Sequence, residues 1–416
     1  MKLNAIQGNV LSLYAVQGLG ILLPLVTMPF LVRHLGTSNY GVASLALAFG
    51  GYLQIFMDYG FALSATREIS QNQTPREILR IHSNVIYSKI LLSLVVGSMI
   101  AALVWVIPSY HKYATIHLMA CVAGFLQALF PSWLYQGVEE IGRMARQSIV
   151  VRLIWVAFIL IRIHHPEDLA LLFFWAIPLY GFALIFAYVD IYRRHGIAIE
   201  HPDLWGITST LKRGSSLFFS QVGVLCFNYT NTIVLGAFCD AEAVGRFSIA
   251  EKVVRAAIGM TGPVGTALFP FAARSMKNSV EQTLSMLKKV LIYGGALFLL
   301  GSIGLFVVAG TIAQYILGHQ NTEVVFLIRL MSFIPLTVFI DNIYGTQILL
   351  NTGRDRMFMS VTLVTGFFAL LIQLVLIPIL KEQGAAMSFL FSETGILITF
   401  YLIVKRLKLD PFSRQI

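Results

Sequence analysis

The sequence has few charged residues, few cysteines and none of the common catalytic signatures. Only 12% of its 416 residues are charged, whereas 57% are hydrophobic, and no stretch of 50 residues is polar enough to form a separate soluble domain. The three cysteines show no CxxC or Cys/His spacing, so neither a disulfide framework nor a metal site is predicted. Walker A, HExxH and GxSxG patterns are absent, so the sequence predicts no cofactor. An enzyme is therefore the less favoured class of protein.

Long apolar stretches are what the sequence has in abundance. Most are long enough to cross a hydrocarbon core of ~30 Å at 1.5 Å per residue, so they predict an all-α polytopic membrane protein with 12 transmembrane helices. The stretch at 147–163 is the shortest of them. The twelve stretches are 10–32, 40–62, 85–107, 115–135, 147–163, 168–189, 214–237, 246–270, 289–312, 324–348, 357–379 and 384–404.

The basic residues alternate between the connections that join these stretches. Twenty Lys and Arg residues lie in one set of connections and at the two chain ends, whereas the other set holds five. Because short cytoplasmic connections carry the excess of Lys and Arg, both termini are expected in the cytoplasm. The net charge of +10 is therefore assigned to topology and to anionic membrane lipid, and no nucleic-acid partner is predicted.

The two halves of the chain match at a constant offset of 204 residues. YGVASLA in the first half is matched by VGRFSIA in the second, although four matched positions could also arise by chance in apolar sequence. A parallel repeat of six helices each is predicted, with a cavity between the halves. The predicted domains are a bundle at 1–190, a cytoplasmic linker at 191–213 and a bundle at 214–416.

One face of the eighth predicted helix is polar. Ser248, Glu251, Lys252 and Arg255 follow i, i+3, i+4, i+7 spacing, and Arg255 is expected ~14 Å deep, near the bilayer centre. A charge at that depth is costly, so this stripe is expected to line the cavity. The alternative is that Glu251 and Arg255, at i and i+4, only neutralise each other, although Lys252 would still leave the stripe positive.

The seventh predicted helix carries an uncharged polar stripe. Its members are Gln221, Asn228, Asn231 and Thr232, with Tyr229 beside them, and Gln17 is the repeat counterpart of Gln221 in the first helix. Amides and an aromatic ring suit sugar hydroxyls. The alternative is hydrogen bonding between helices, a common use of Asn and Gln in membranes.

The twelfth predicted helix holds an isolated acid, Glu393, ~14 Å from its outer end. A carboxylate at this depth is expected to be protonated or paired, which makes it a candidate for coupling transport to a proton or a sodium ion. A structural pairing with Arg255 or Arg329 is the alternative.

The tenth predicted helix combines Arg329 near its outer end, Pro335 in its middle and Asp341 toward the inside. Because proline removes a backbone hydrogen bond, a kink is predicted there, and such a kink can act as a gate.

Four more charged residues lie near span ends. Asp58 is expected near the inner end of the second helix, whereas Arg33, Lys89 and Arg152 are expected to extend their long side chains to the interface.

Five segments resemble those of the bacterial Wzx polysaccharide flippases, and the resemblance runs along almost the whole chain. That family belongs to the multidrug/oligosaccharidyl-lipid/polysaccharide exporter superfamily, whose fold is two six-helix bundles arranged in a V around a central cavity. The segments are PLVTMPFLVRHLG (24–36), DYGFALSATREIS (58–70), FPSWLYQGVEE (130–140), DNIYGTQILLNTGR (341–354) and EQGAAMSFLFSETG (382–395).

The resemblance implies a carrier in the bacterial inner membrane that moves an undecaprenyl-pyrophosphate-linked oligosaccharide, an O-antigen repeat unit, to the periplasmic leaflet by alternating access. A polysaccharide polymerase and a chain-length regulator are the implied protein partners. The cations expected to meet the pyrophosphate are Arg255, Lys252, Arg329 and Arg33. The acids expected to couple an ion or to gate are Glu393, Glu251, Asp341 and Asp58.

Three other functions stay open at this stage. A lipid II flippase and a MATE-like cation/drug antiporter have the same architecture, although a basic cavity counts against cationic substrates. A membrane polysaccharide polymerase is an enzyme and needs a catalytic site on extended outer loops, which the short outer connections do not provide.

Overall fold

A computed structural model gives the architecture. It describes residues 2–71, 74–201, 205–215, 218 and 230–413, and the side chains in these ranges except those of residues 2–15, 17 and 277. Every regular element in this part of the chain is a helix. The chain divides into two compact units, Met1–Gln221 and Val222–Ile416, which we call unit 1 and unit 2.

Unit 1 is built from long helices joined by short turns. Its helices are α1 (Lys2–Asp58), α2 (Phe61–Gln71), α3 (Pro75–Val106), α4 (Pro108–His111), α5 (Ala114–Ala128), α6 (Ser132–Gly137), α7 (Ile141–Arg162), α8 (Leu169–His195) and α9 (205–215), with a 3₁₀ turn at Pro166–Asp168.

Unit 2 is also built from helices joined by short connections. Its helices are α10 (Thr230–Phe238), α11 (Ala241–Gly259), α12 (Thr261–Asn278), α13 (Val280–Leu317), α14 (Thr322–Met331), α15 (Ile334–Asn342) and α16 (Asp355–Arg406). A π-helical turn (Ile343–Leu349) and a 3₁₀ turn (Leu350–Thr352) follow α15.

Nine helices in the described part of the chain are long and apolar enough to cross a membrane, so the protein is a multi-pass membrane protein. Two of these candidates, Gly18–Gln71 and Asp355–Arg406, each cover two of the predicted stretches. The short stretch at 147–163 belongs to α7, which has 22 residues. Most of the predicted stretch at 214–237 lies outside the described residues, so the number twelve stays a prediction.

Local backbone changes divide the longest helices. Gly36 in α1 has φ +81°, a conformation that glycine adopts without a Cβ clash, and Lys381 interrupts α16 at φ +51°. The kink predicted at Pro335 is confirmed: α14 ends at Met331, and α15 begins at Ile334 with the proline in its first turn.

The order of elements in unit 1 recurs in unit 2 at nearly the same offset that the sequence shows. The kink at Gly36 corresponds, 204 residues later, to Asp240, the N-cap of α11. Likewise, Pro75 begins α3, and Ser279, 204 residues later, is the N-cap of α13. Two helix boundaries in each unit therefore match at this offset, and the repeat of six helices stays a prediction.

Two glycines permit close packing of α1 against α5 in unit 1. A Cβ on Gly50 of α1 would lie 2.8 Å from the carbonyl oxygen of Ala120, and a Cβ on Gly124 of α5 would lie 2.7 Å from the carbonyl oxygen of Gly50. Both distances would be steric clashes, so only glycine allows the two backbones to approach this closely, and such close packing is a main source of helix association in lipid.

Candidate functional site

The polar stripe on α11 contains a direct ion pair. Both Nε and Nη2 of Arg255 donate to Oε1 of Glu251, at 2.9 Å and 2.7 Å. Glu251 and Ser248 are buried, whereas Lys252 and Arg255 are half-buried. The i, i+4 spacing brings the two charges together because residues four apart lie on the same helix face.

A side chain of α16 contacts this pair, and α15 contributes an acid next to Glu393. The guanidinium of Arg255 lies 5.0 Å from the ring centre of Phe389 on α16, a cation–π contact. Glu393, one helical turn after Phe389, interacts electrostatically with Arg255, and Asp341 at the end of α15 interacts with Glu393. Glu251, Arg255, Asp341 and Glu393 form what we call the acid–arginine cluster.

The acid–arginine cluster has more acids than bases. With every group ionised it holds three carboxylates and one guanidinium, and the neighbouring Lys252 reduces the formal charge to −1. The stripe on α11 taken alone is positive, but helix packing adds two acids to it. An excess carboxylate in a membrane span is able to bind a proton or a cation, so the arrangement suits ion binding as well as anion recognition.

The π-helical turn beside Asp341 is a feature that the sequence analysis missed. Within it, Nε2 of Gln347 donates to the carbonyl oxygen of Gly265 on α12 at 3.1 Å, whereas its buried Oε1 accepts no hydrogen bond from the described residues. π-helical turns are rare and occur frequently at functional sites. The kink predicted at Pro335 was the only signal of irregular backbone in this region.

A second charged pair lies within unit 1. Nζ of Lys89 on α3 donates to Oδ1 of Asp58 at 2.7 Å and to the carbonyl oxygen of Ala128 at 2.6 Å, and it lies 4.3 Å from the ring centre of Trp133. The Lys89 side chain is only 1% exposed. The prediction that Lys89 extends to the interface is therefore wrong, because a carboxylate, a carbonyl and a ring satisfy the ammonium inside the unit.

The other predicted cations lie elsewhere. Arg329 is exposed on α14, where Nε donates to the carbonyl oxygen of Phe306 at 3.3 Å and the guanidinium lies 5.3 Å from the ring centre of Phe306. Arg33 is also exposed, three residues before the kink at Gly36. Arg152 is half-buried, and its Nη1 donates to the carbonyl oxygen of Val16 at 2.8 Å. Within unit 2, the structure thus places Arg255 beside an acid, whereas Arg329 contacts Phe306.

Only part of the predicted polar stripe on the seventh helix is described. Asn231 is buried near the start of α10, and its Oδ1 accepts no hydrogen bond within the described part of the chain. The predictions for Gln221, Asn228 and Tyr229 lie outside the described residues, as does the side chain of Gln17.

A strong ionic network at the start of α11 was not predicted from the sequence. Arg246 contacts three carboxylates: Glu242 at 3.1 Å, Glu323 of α14 at 2.9 Å and Glu382 of α16 at 2.8 Å. Only Glu242, one helical turn away, is recognisable from sequence spacing. This network joins three helices of unit 2 next to the kink at Lys381.

Comparison with known proteins identifies the family of this chain and solved structures of similar fold. The profile of the family described as "Polysaccharide biosynthesis protein" matches residues 6–276. A protein of Escherichia coli (strain K12) named "Putative O-antigen transporter" is 27% identical over 410 residues, which are 97% of this chain and 98% of the relative.

Two solved structures have a similar fold. One is an inward-facing multidrug resistance MATE family transporter of the MOP superfamily, with a TM-score of 0.68, 13% identity and coverage of 94% of this chain and 96% of that one. The other is the lipid II flippase MurJ in an inward closed conformation, with a TM-score of 0.66, 13% identity and coverage of 97% and 89%. The chain thus has the fold of these MOP superfamily proteins, and it belongs to the polysaccharide biosynthesis protein family.

Proposed function

We propose that the protein is a flippase that moves an undecaprenyl-pyrophosphate-linked oligosaccharide from the cytoplasmic to the periplasmic leaflet of the inner membrane by alternating access. The proposal includes twelve spans in two six-helix bundles, 1–190 and 214–416, a cytoplasmic linker at 191–213 and both termini in the cytoplasm. The name of the E. coli relative and the family match support a glycan substrate. The charge bias of the connections supports the orientation.

The observation that carries the proposal is the acid–arginine cluster on membrane-spanning helices. Charges are costly inside a bilayer, so their grouping on α11, α15 and α16 favours a role in transport over a role in packing alone. Apolar packing would hold these helices together without them.

We assign different parts of the transport cycle to different members of this region. Arg255 and Lys252 meet the pyrophosphate of the substrate, since a phosphate that leaves water needs compensating positive charge. Asn231 and the predicted amides of the same helix meet sugar hydroxyls. Glu393 and Asp341 exchange a proton or a sodium ion, and Glu251 holds Arg255 in place when the substrate is absent.

The test is complementation of a strain that lacks the protein. Wild type, Arg255→Ala and Glu393→Gln are returned at equal membrane abundance, together with Glu167→Gln as a control at an exposed turn. Surface polysaccharide and lipid-linked single units on each leaflet are measured. We expect the deletion to abolish surface polymer and to accumulate single units on the cytoplasmic leaflet, and only wild type and Glu167→Gln to restore export.

Other outcomes of the same experiment identify the alternative functions. Single units that reach the periplasm unpolymerised would assign the chain to the polymerisation step. Loss of viability with normal surface polysaccharide would point to lipid II, and increased sensitivity to cationic drugs with normal polysaccharide would point to an antiporter. Each of these results would replace the flippase proposal.

A further inference from the structure

Unit 1 contains a groove between α7 and α8 that plays no part in the proposed transport site. Its volume is about 490 Å³. The two helices are antiparallel, so the first turns of α7 and the last turns of α8 meet at the same end of the groove. The residues that line it are Arg143, Arg146, Gln147, Val150, Val151, Ile154, Leu179, Phe182, Ala183, Phe186, Asp190 and Arg194.

The groove is basic at one end. Arg143, Arg146 and Arg194 lie there with a single carboxylate, Asp190, so the lining carries a formal charge of +2. Asp190 is engaged by Nε of Arg194 at 2.7 Å and by the hydroxyl of Tyr135 at 3.2 Å. Arg143 lies 3.5 Å from Glu140, which lowers the local charge to +1. Arg146 is exposed and forms no ion pair with the described residues.

The rest of the groove is apolar and open to the surroundings of the unit. Phe182 is 76% exposed, Phe186 57%, Val150 54% and Ile154 50%. These residues lie on α7 and α8, both of which are long and apolar enough to span the membrane, so this wall meets acyl chains. A groove with a basic end and an apolar wall is complementary to a molecule with one anionic phosphate and a hydrocarbon chain.

We propose that this groove binds an anionic glycerophospholipid of the cytoplasmic leaflet. The phosphate lies between Arg146 and Arg194, and one acyl chain follows the wall formed by Ile154, Phe182 and Phe186. Basic pockets between membrane helices on the cytoplasmic side commonly bind anionic head groups. A single phosphate matches the local charge of +1 to +2.

The test measures lipid binding to the purified, delipidated full-length protein. Dioleoyl phosphatidylglycerol and dioleoyl phosphatidylcholine, which have identical chains, are titrated separately and bound lipid is counted by native mass spectrometry. We expect one phosphatidylglycerol to bind in preference to phosphatidylcholine. Arg146→Gln should weaken that binding about fivefold, the effect of one basic residue at an anionic head group.

Two more variants separate the groove from general surface charge. Arg193→Gln removes an exposed arginine from the same turn of α8, outside the groove lining, and should leave binding unchanged. Ala183→Trp fills the groove without altering charge and should abolish the bound phosphatidylglycerol. Thermal unfolding without lipid shows whether each variant is folded.

Three results would overturn the proposal. These are equal binding of the two phospholipids, equal losses in Arg146→Gln and Arg193→Gln, and displacement of phosphatidylglycerol from the groove by an equimolar amount of undecaprenyl phosphate. The last result would assign the groove to a prenyl lipid instead. None of these measurements involves transport, so they stand independently of the flippase proposal.

Discussion

Each unit holds a charged pair on its helices, and the two pairs differ in how completely the positive and negative charges around them cancel. In unit 1, Lys89 meets one carboxylate, one carbonyl and one indole ring, which together satisfy its ammonium group. In unit 2, Arg255 is shared between Glu251 in direct contact and Glu393 through space, and Asp341 adds a third acid.

This difference in balance separates a structural role from a transport role. In a pair whose charges cancel, neither member gains free energy by exchanging its partner. Removing one member leaves the other charge buried and uncompensated. A group with surplus acid has several states of similar free energy, in which a proton, a cation or a rearranged arginine offsets the excess. We therefore assign the unit 1 pair to stability and the acid–arginine cluster to transport.

The largest stability effect should follow from Lys89→Met. Methionine fills a similar volume but leaves Asp58 and the Ala128 carbonyl without their donor. We expect a loss of about 3 kcal/mol in the free energy of unfolding, the low end for breaking a buried pair, because Asp58 is 35% exposed. Thermal unfolding in detergent measures it.

The matched control for this variant is Lys112→Met. Lys112 is exposed and lies 5.2 Å from the ring centre of Tyr113, so its loss should cost no more than about 0.5 kcal/mol. The double variant Lys89→Met/Asp58→Leu should recover much of the loss, since an apolar replacement of both partners removes the uncompensated charge. A Lys89→Met protein as stable as wild type would contradict the structural assignment.

The second prediction concerns Glu393→Gln in the acid–arginine cluster. Glutamine keeps the volume of the side chain but cannot exchange a proton. We therefore expect the flipping rate to fall about 5- to 150-fold, which corresponds to a typical coupling free energy of about 1–3 kcal/mol. The free energy of unfolding should change little, in contrast to the loss expected for Lys89→Met. Leaflet-resolved counting of lipid-linked units measures the rate, and unchanged flipping in both Glu393→Gln and Asp341→Asn would sink the coupling hypothesis.

Arg246→Gln tests whether charges in unit 2 also serve stability. It leaves Glu242, Glu323 and Glu382 close together without their shared donor, so we expect a loss of about 2 kcal/mol in unfolding free energy. Glu242→Gln is the control, since Glu242 is 58% exposed and its pair should contribute less than about 1 kcal/mol. Equal effects of the two variants would mean that the pairs with Glu323 and Glu382 add nothing.

Sequence patterns predicted the parts of this architecture that depend on local spacing. Apolar length placed the membrane helices, Pro335 placed the break before α15, and i, i+4 spacing placed Glu251 against Arg255. Each of these depends on residues within a few turns of one another. The offset of 204 is a longer pattern, and it coincides with the helix boundaries at Gly36 and Asp240.

Contacts between residues far apart in the sequence could not be predicted from sequence spacing. Lys89 and Asp58 are 31 positions apart, and Arg246 and Glu382 are 136 apart, so only the packing of whole helices brings them together. Spacing along one helix could be read from the sequence, but the direction that a side chain faces could not. Arg329 shows this, since it was expected to meet the substrate in the cavity but is exposed and donates to the carbonyl oxygen of Phe306.

The smallest predicted effect separates the stability of unit 2 from its transport function. Asp240 caps α11, the helix that carries Glu251 and Arg255, and its Oδ1 accepts a hydrogen bond from the backbone N–H of Ala243 at 2.8 Å. Asp240→Ala should cost about 1 kcal/mol in unfolding free energy, and Asp240→Asn, which still caps, only a few tenths. Both should flip substrate at the wild-type rate. If Asp240→Ala instead lowers flipping as much as Glu393→Gln does, the sensitivity of the acid–arginine cluster reflects the stability of α11, and its surplus acid has no separate role in transport.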